Sequence, residues 1–177
     1  MRHANTMNGL LGETHWEGEH HLCCDVIAGG VHMHYGRDAL YKMYMSNTVI
    51  GKSYKALLNK KTGIAEQIDT PFTRGLYEKI YKQLHGRVLH LGLGMNLGED
   101  IIKCDEMIFV EKSVDVIMNV STKWNVIQMD AVDLMGEGII TRRLGRFDTI
   151  FIDVTSSNRL LNLEKYKSPQ GKILWLR

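Results

Sequence analysis

Four short apolar runs recur between Val88 and Asp153, each closed by a glycine turn or a single carboxylate. They are Val88-Leu89-His90-Leu91 before Gly92-Leu93-Gly94, Met107-Ile108-Phe109-Val110 before Glu111, Asn125-Val126-Ile127-Gln128-Met129 before Asp130, and Phe147-Asp148-Thr149-Ile150-Phe151-Ile152 before Asp153. A fifth run, Lys172-Ile173-Leu174-Trp175-Leu176, follows. The intervening segments suit helices: Asn96 to Lys103, with Leu97, Ile101 and Ile102 on one side, and Val114 to Val120, capped by Ser113. Apolar strands separated by helical connections predict a parallel sheet covered on both faces.

The chain ahead of these runs has a different grammar. Up to about Thr73 it is rich in Gly and His and shows no long amphipathic helix. Ala39–Met45 and Lys52–Leu58 read as strands, and Asn59-Lys60-Lys61-Thr62-Gly63 as a tight turn. Thr70-Pro71 then marks a helix start, with Thr70 as N-cap and proline at the first helical position. Leu76, Ile80 and Leu84 would form its apolar stripe, and Gly86 would end it. The organisation expected is a small β-rich segment over residues 1–73 and a Rossmann-like α/β domain over 74–177.

Charge and length exclude several classes. With 22 basic against 20 acidic residues the chain carries a net charge of +2, spread evenly along it. That is not the basic excess of a protein that lives on nucleic-acid phosphate. No apolar stretch approaches the roughly 20 residues that span a bilayer, and Met1-Arg2-His3-Ala4-Asn5 does not open a secretory signal. Three cysteines, two of them adjacent (Cys23 and Cys24), make no disulfide framework, so reduced thiols in a cytoplasm are expected.

The residues that can carry chemistry lie at the carboxyl ends of the strands, where ligands of open α/β sheets bind. Glycines at Gly92 and Gly94 permit a tight turn and let a ligand approach the backbone. Asn96 stands where a dinucleotide fingerprint needs its third glycine, and Gly98 is out of register, so a pyrophosphate site is disfavoured. Glu111 ends the second strand, where its two oxygens match the vicinal hydroxyls of a ribose. Asp130-Ala131 and Asp153 close the third and fourth strands.

In order and spacing these segments resemble the class I S-adenosylmethionine-dependent methyltransferases, in the branch that includes spermidine synthases. The likeness rests on Val88–Gly94, Ile108–Lys112, Val126–Ala131 and Phe147–Asp153, and covers roughly Gly86 to Arg177. Short spermidine-synthase-like proteins encoded by bacteriophages have a similar layout, including an Asp-Thr-Pro segment like Asp69-Thr70-Pro71. The resemblance implies a truncated methyltransferase fold that binds S-adenosylmethionine or a related adenosyl sulfonium nucleoside. Gly92, Leu93, Gly94 and Met95 would pass under its amino-acid part, and Glu111, followed by Lys112, would hold the ribose. Asp130 and the Ala131 amide would address the adenine edge, and Asp153 would stand beside the sulfonium and the nucleophile as the catalytic residue.

Asp153-Val154-Thr155-Ser156 replaces the Asp/Asn-Pro-Pro-Tyr/Phe segment of many amino-methyltransferases, which argues against adenine, cytosine or glutamine methylation. It is nearer to the Asp-Ser-Thr segment of polyamine synthases. Leu76-Tyr77-Glu78, however, lacks the histidine of their Tyr-His-Glu segment. The expected activity is transfer of a methyl or aminopropyl group to a small acceptor. The alternatives are a phage-type accessory protein that binds the nucleoside without transferring anything, and an enzyme that degrades the sulfonium ligand.

Other features are assigned no chemistry. His15, His20, His21, Cys23, Cys24, His32 and His34 include spacings that Zn²⁺ or Cu²⁺ could use. No CxxC pair accompanies them, and adjacent cysteines do not easily serve one tetrahedron, so no metal is expected. His90 reads as a core histidine with its hydrogen bonds satisfied, the scattered methionines as packing, and Arg142-Arg143-Leu144-Gly145-Arg146 as a solvated loop. The fifth strand lies one residue from the C-terminus, so its outer edge would be open, and a homo-oligomer with Trp175 near the contact is expected.

Overall fold

The computed structural model describes residues 21–27, 53–59, 64–136, 144–154 and 163–176. By internal contacts the chain divides into two compact units, Met1–Leu76 and Tyr77–Arg177.

The first unit contains an antiparallel sheet in the order β1 (His21–Ile27), β2 (Ser53–Asn59), β3 (Ile64–Ile68). Strand β2 confirms the run expected at Lys52–Leu58. It pairs with β1 from Ser53 opposite Ile27 to Asn59 opposite His21. The β2–β3 register slips between Leu57 and Leu58, a bulge that lets the neighbours Ala56 and Leu57 both be buried. The strand expected at Ala39–Met45 and the turn residues 60–63 lie outside the described residues.

Helix α1 (Pro71–Tyr81) starts where the Thr70-Pro71 pair predicts. Thr70 Oγ1 accepts the Thr73 N–H at 3.2 Å, and Asp69 holds Arg74 through both carboxylate oxygens, at 2.5 and 2.7 Å. Its buried stripe differs from the one expected. Thr73, Tyr77 and Tyr81 are buried, whereas Leu76 and Ile80 are only partly covered; Leu84 is buried as expected but lies beyond the helix, which ends at Tyr81 rather than at Gly86.

Among its described residues, the second unit holds a five-stranded, wholly parallel sheet. Its strands are β4 (Arg87–Leu91), β5 (Glu106–Glu111), β6 (Asn125–Gln128), β7 (Phe147–Ile152) and β8 (Lys167–Trp175), in spatial order β6-β5-β4-β7-β8. Four of the five expected strands match within a residue. Strand β8 begins five residues earlier than expected and ends at Trp175, and its pairing with β7 shifts between Phe147 and Thr149. Val88 to Leu91 are all buried, as a strand covered on both faces requires. One face carries Leu89, Leu91, Ile108, Val110, Ile150 and Ile152 against Ala131 and Leu134 of α3 (Ala131–Gly136) and against Leu163 and Tyr166 of a 3₁₀ turn. The other carries His90, Phe109 and Phe151.

Helix α2 (Val114–Asn119) confirms the Ser113 cap, whose hydroxyl accepts the Val116 N–H at 3.4 Å. The helix expected at Asn96–Lys103 does not form. Gly94, Asn96 and Gly98 all take positive φ, and only the 3₁₀ turn Glu99–Ile101 follows. Among the described residues, no helix is long and apolar enough to cross a membrane.

Candidate functional site

The order β6-β5-β4-β7-β8 places a topological switch point between β4 and β7, because the chain runs outward from β4 in one direction and then returns to β4's other side. Register carries the four strand ends to one level. Leu91 pairs with Val110 and with Ile152, and Glu111 pairs with Gln128. The ladder extends one step past the strands, with Gly92 N–H on Val110 O at 2.8 Å, Asp153 N–H on Leu91 O at 2.9 Å and Met129 N–H on Glu111 O at 3.0 Å. Gly92, Glu111, Asp130 and Asp153 therefore lie along one edge of the sheet, as the sequence predicts.

Only glycine fits at position 92. Its φ is 98°, and a Cβ there would run into the Asp153 carbonyl oxygen. The turn that follows is held from the neighbouring strand. Glu111 Oε2 accepts the Leu93 N–H at 2.9 Å while Oε1 accepts the Ser113 N–H at 2.8 Å. Leu93 is buried, Gly94 and Met95 are partly covered, and Lys112 is exposed. Asn96 is fixed by its Nδ2, which donates to Glu99 Oε2 at 2.9 Å and to Ser121 O at 3.1 Å. Asp130 Oδ1 accepts the Val132 N–H at 2.8 Å, shaping the turn into α3, and Ala131 is buried.

Asp153 is electrostatically unusual. Burial pushes its carboxyl up from 3.8 to about 6, with the Glu111 charge acting in the same direction. The opposing influence is a hydrogen bond from Tyr77, whose hydroxyl donates to Asp153 Oδ2 at 2.5 Å. A carboxyl with a midpoint near neutrality, held by a phenol at the mouth of a switch point, is suited to accept or return a proton.

The sequence does not single out Tyr77 as a site residue. The signal it offers is spacing: Thr73, Tyr77 and Tyr81 recur every four residues, placing two phenols on the buried stripe of α1. His90 departs from expectation in one respect. It is buried and its Nε2 meets the Tyr81 hydroxyl at 3.5 Å, but its Nδ1 makes no bond of ordinary geometry among the described residues, with only the Gly92 backbone acting on the ring.

Among the described residues, no group of three or more His, Cys, Asp or Glu side chains could hold a metal ion. The side chains of the N-terminal His and Cys cluster, and Arg142 and Arg143, lie outside what is described; Arg146 is exposed.

No family model matches the sequence, and no curated protein matches it. Among solved structures, the chain is similar to MNMC2 from Aquifex aeolicus, at 16% sequence identity and a TM-score of 0.45. The match covers 70% of this chain and 56% of that one, so the chain spans little more than half the length of that structure.

Proposed function

We propose that the crevice at the carboxyl ends of β4, β5, β6 and β7 binds an adenosyl sulfonium nucleoside, S-adenosylmethionine or its decarboxylated relative, and transfers an alkyl group to a small acceptor. The observation that carries this reading is the convergence of Gly92, Glu111 and Asp153 at the switch point, with Asp153 poised near neutral pH.

The residues present fit such a ligand. Each Glu111 oxygen accepts one backbone N–H and keeps lone-pair capacity for a ribose hydroxyl. Gly92 lets the turn pack directly against the Asp153 backbone, and Leu93, Gly94 and Met95 would continue from it under the ligand. Asp130 uses Oδ1 in its own turn, leaving Oδ2 and the Ala131 amide for the adenine edge, with Lys112 flanking the ribose side. When bound, the nucleoside supplies an already activated alkyl group. The chain's own contribution is to orient the acceptor and to receive its proton at Asp153 Oδ2, with Tyr77 holding that oxygen in place.

Isothermal titration of the full chain with S-adenosylmethionine, its decarboxylated form, methylthioadenosine and S-adenosylhomocysteine tests the binding. Product analysis with a panel of amines and nucleosides then tests the chemistry. Saturable binding of the adenosyl ligands, weakened in Glu111→Ala, supports the site. Binding without any alkylated product assigns the chain to the accessory class, and ligand breakdown without an acceptor makes it a degrading enzyme. Absence of binding by all four overturns the reading.

A further inference from the structure

Beneath the crevice lies an aromatic layer with one polar member. His90, Phe109 and Phe151 are register partners across β5, β4 and β7, so they share a face of the sheet. The His90 ring stands 4.6 Å from that of Phe109 and 4.4 Å from that of Phe151, and only 1% of the residue is exposed. Tyr81, equally buried, brings its hydroxyl to 3.5 Å from His90 Nε2 and its ring edge-on to Phe151 at 6.0 Å. Tyr77 sits one turn earlier, its ring 5.5 Å from that of Tyr81 and 6.4 Å from that of Phe151.

A histidine is a costly choice here. A phenylalanine would fill the layer without adding Nδ1, which makes no hydrogen bond of ordinary geometry among the described residues. Nor does His90 supply a charge. Desolvation lowers its pKa to about 3, against a smaller opposing effect of the Gly92 backbone, and the ring is neutral at physiological pH. Tyr81 is likewise neutral, since burial and then the Asp153 and Glu99 charges push its phenol upward. What remains is a neutral hydrogen-bonding pair in an apolar layer, with direction but no charge. Tyr81 closes the helical turn that begins at Tyr77.

We propose that His90 and Tyr81 are positioning residues, which by pairing beneath the crevice aim the Tyr77 hydroxyl at Asp153. Their functional consequence rests on the reading of Asp153 as the proton acceptor; the pairing itself does not. The groups that face Asp153 among the described residues are Tyr77 and, through their charge or dipole, Glu111 and Tyr81.

The test needs no ligand. Carbon-13 NMR of the Asp153 carboxyl in the full chain reports its titration midpoint directly. Tyr77→Phe removes the direct hydrogen bond and sets the scale, an upward shift of about 0.5–1 unit. Tyr81→Phe and His90→Phe are expected to raise the midpoint by at least half of that shift, although neither touches the carboxylate. His90→Gln, which restores a partner for the phenol, should bring it back toward wild type. The double variant should shift no further than either single one, as members of one unit do. Should His90→Phe fail to fold, Tyr81→Phe, which deletes a single oxygen, carries the test. An unchanged midpoint in folded Tyr81→Phe, or fully additive shifts in the double variant, overturns the proposal. Failure to bind adenosyl ligands would leave this titration unaffected, so the two readings fail separately.

Discussion

Glu111 accepts the Leu93 N–H at 2.9 Å, tying the tip of the glycine turn after β4 to the end of β5. One carboxylate thus serves two tasks in the proposed site. It holds the turn in place, and it offers its remaining lone pairs to a ligand diol.

Glu111→Ala is therefore expected to weaken adenosyl-ligand binding by about 1–3 kcal/mol, through loss of a charged acceptor and release of the Leu93 and Ser113 amides. Glu111→Gln, which keeps one acceptor oxygen, should lose less. Calorimetric titration of both variants checks the order. Full affinity in folded Glu111→Ala would remove the ribose assignment.

Gly92→Ala should be among the more damaging single-methyl changes in the chain. Position 92 combines a φ of 98° with backbone of Asp153 where the methyl would go. The expected cost is about 1–3 kcal/mol of stability, read as a lower urea midpoint with an unchanged slope. Gly75, where an added Cβ meets nothing within 4 Å and φ is not positive, is the control, and Gly75→Ala should be close to neutral or stabilising. Equal midpoints for the two variants would contradict the steric argument.

The strands were legible because parallel strands buried on both faces need continuous apolar runs, and Val88–Leu91 and Phe147–Ile152 are such runs. The segment after β4 was misread for an opposite reason. Leu97 and Ile102 are buried as a helix would bury them, yet Gly94 and Asn96 before Leu97, and Gly98 after it, take left-handed backbone that breaks the helical path. Alternating Gly, Asn and Gly was the available signal, since these residues tolerate positive φ. On α1, ranking by hydrophobicity favoured Leu76 and Ile80, while burial went to Tyr77 and Tyr81. Their apolar rings fill the layer, and their hydroxyls find Asp153 and His90. The carboxylates at strand ends were predictable from position; the phenol that meets one of them depends on tertiary packing.

Strand β8 lies at one end of the sheet order, and Trp175 within it is 38% exposed. An edge strand with an exposed aromatic favours pairing with another chain, and a second copy is the expected partner. Light scattering at rising concentration should show a dimer or larger assembly at tens of micromolar. Trp175→Glu should shift it toward monomer. A monomer throughout, with the fluorescence lost in Trp175→Glu readily quenched by acrylamide in the wild type, would exclude this contact.

Asp153 gives the sharpest prediction, because its sign is fixed. The folded-state midpoint, about 6, lies above the ordinary 3.8, so the native state binds this proton more tightly than the unfolded chain does. That contribution favours folding most at low pH and is lost as pH rises from about 4 to about 6. Asp153→Asn keeps an acceptor for the Tyr77 hydroxyl without the buried charge. It should flatten the decline and be more stable than wild type above pH 7, by about 1–3 kcal/mol. If Asp153 also receives the acceptor's proton, wild-type turnover should rise through pH 6 as the carboxyl ionises. The Asn variant should then lose about 10²-fold in turnover while binding the adenosyl ligand normally. Urea unfolding at pH 4.5, 6 and 8 checks the first half, and pH–rate profiles check the second. Parallel stability curves for the two proteins would show that burial does not perturb this carboxyl. Unchanged turnover in the Asn variant would leave Asp153 as a strand-end residue whose raised midpoint serves no proton transfer.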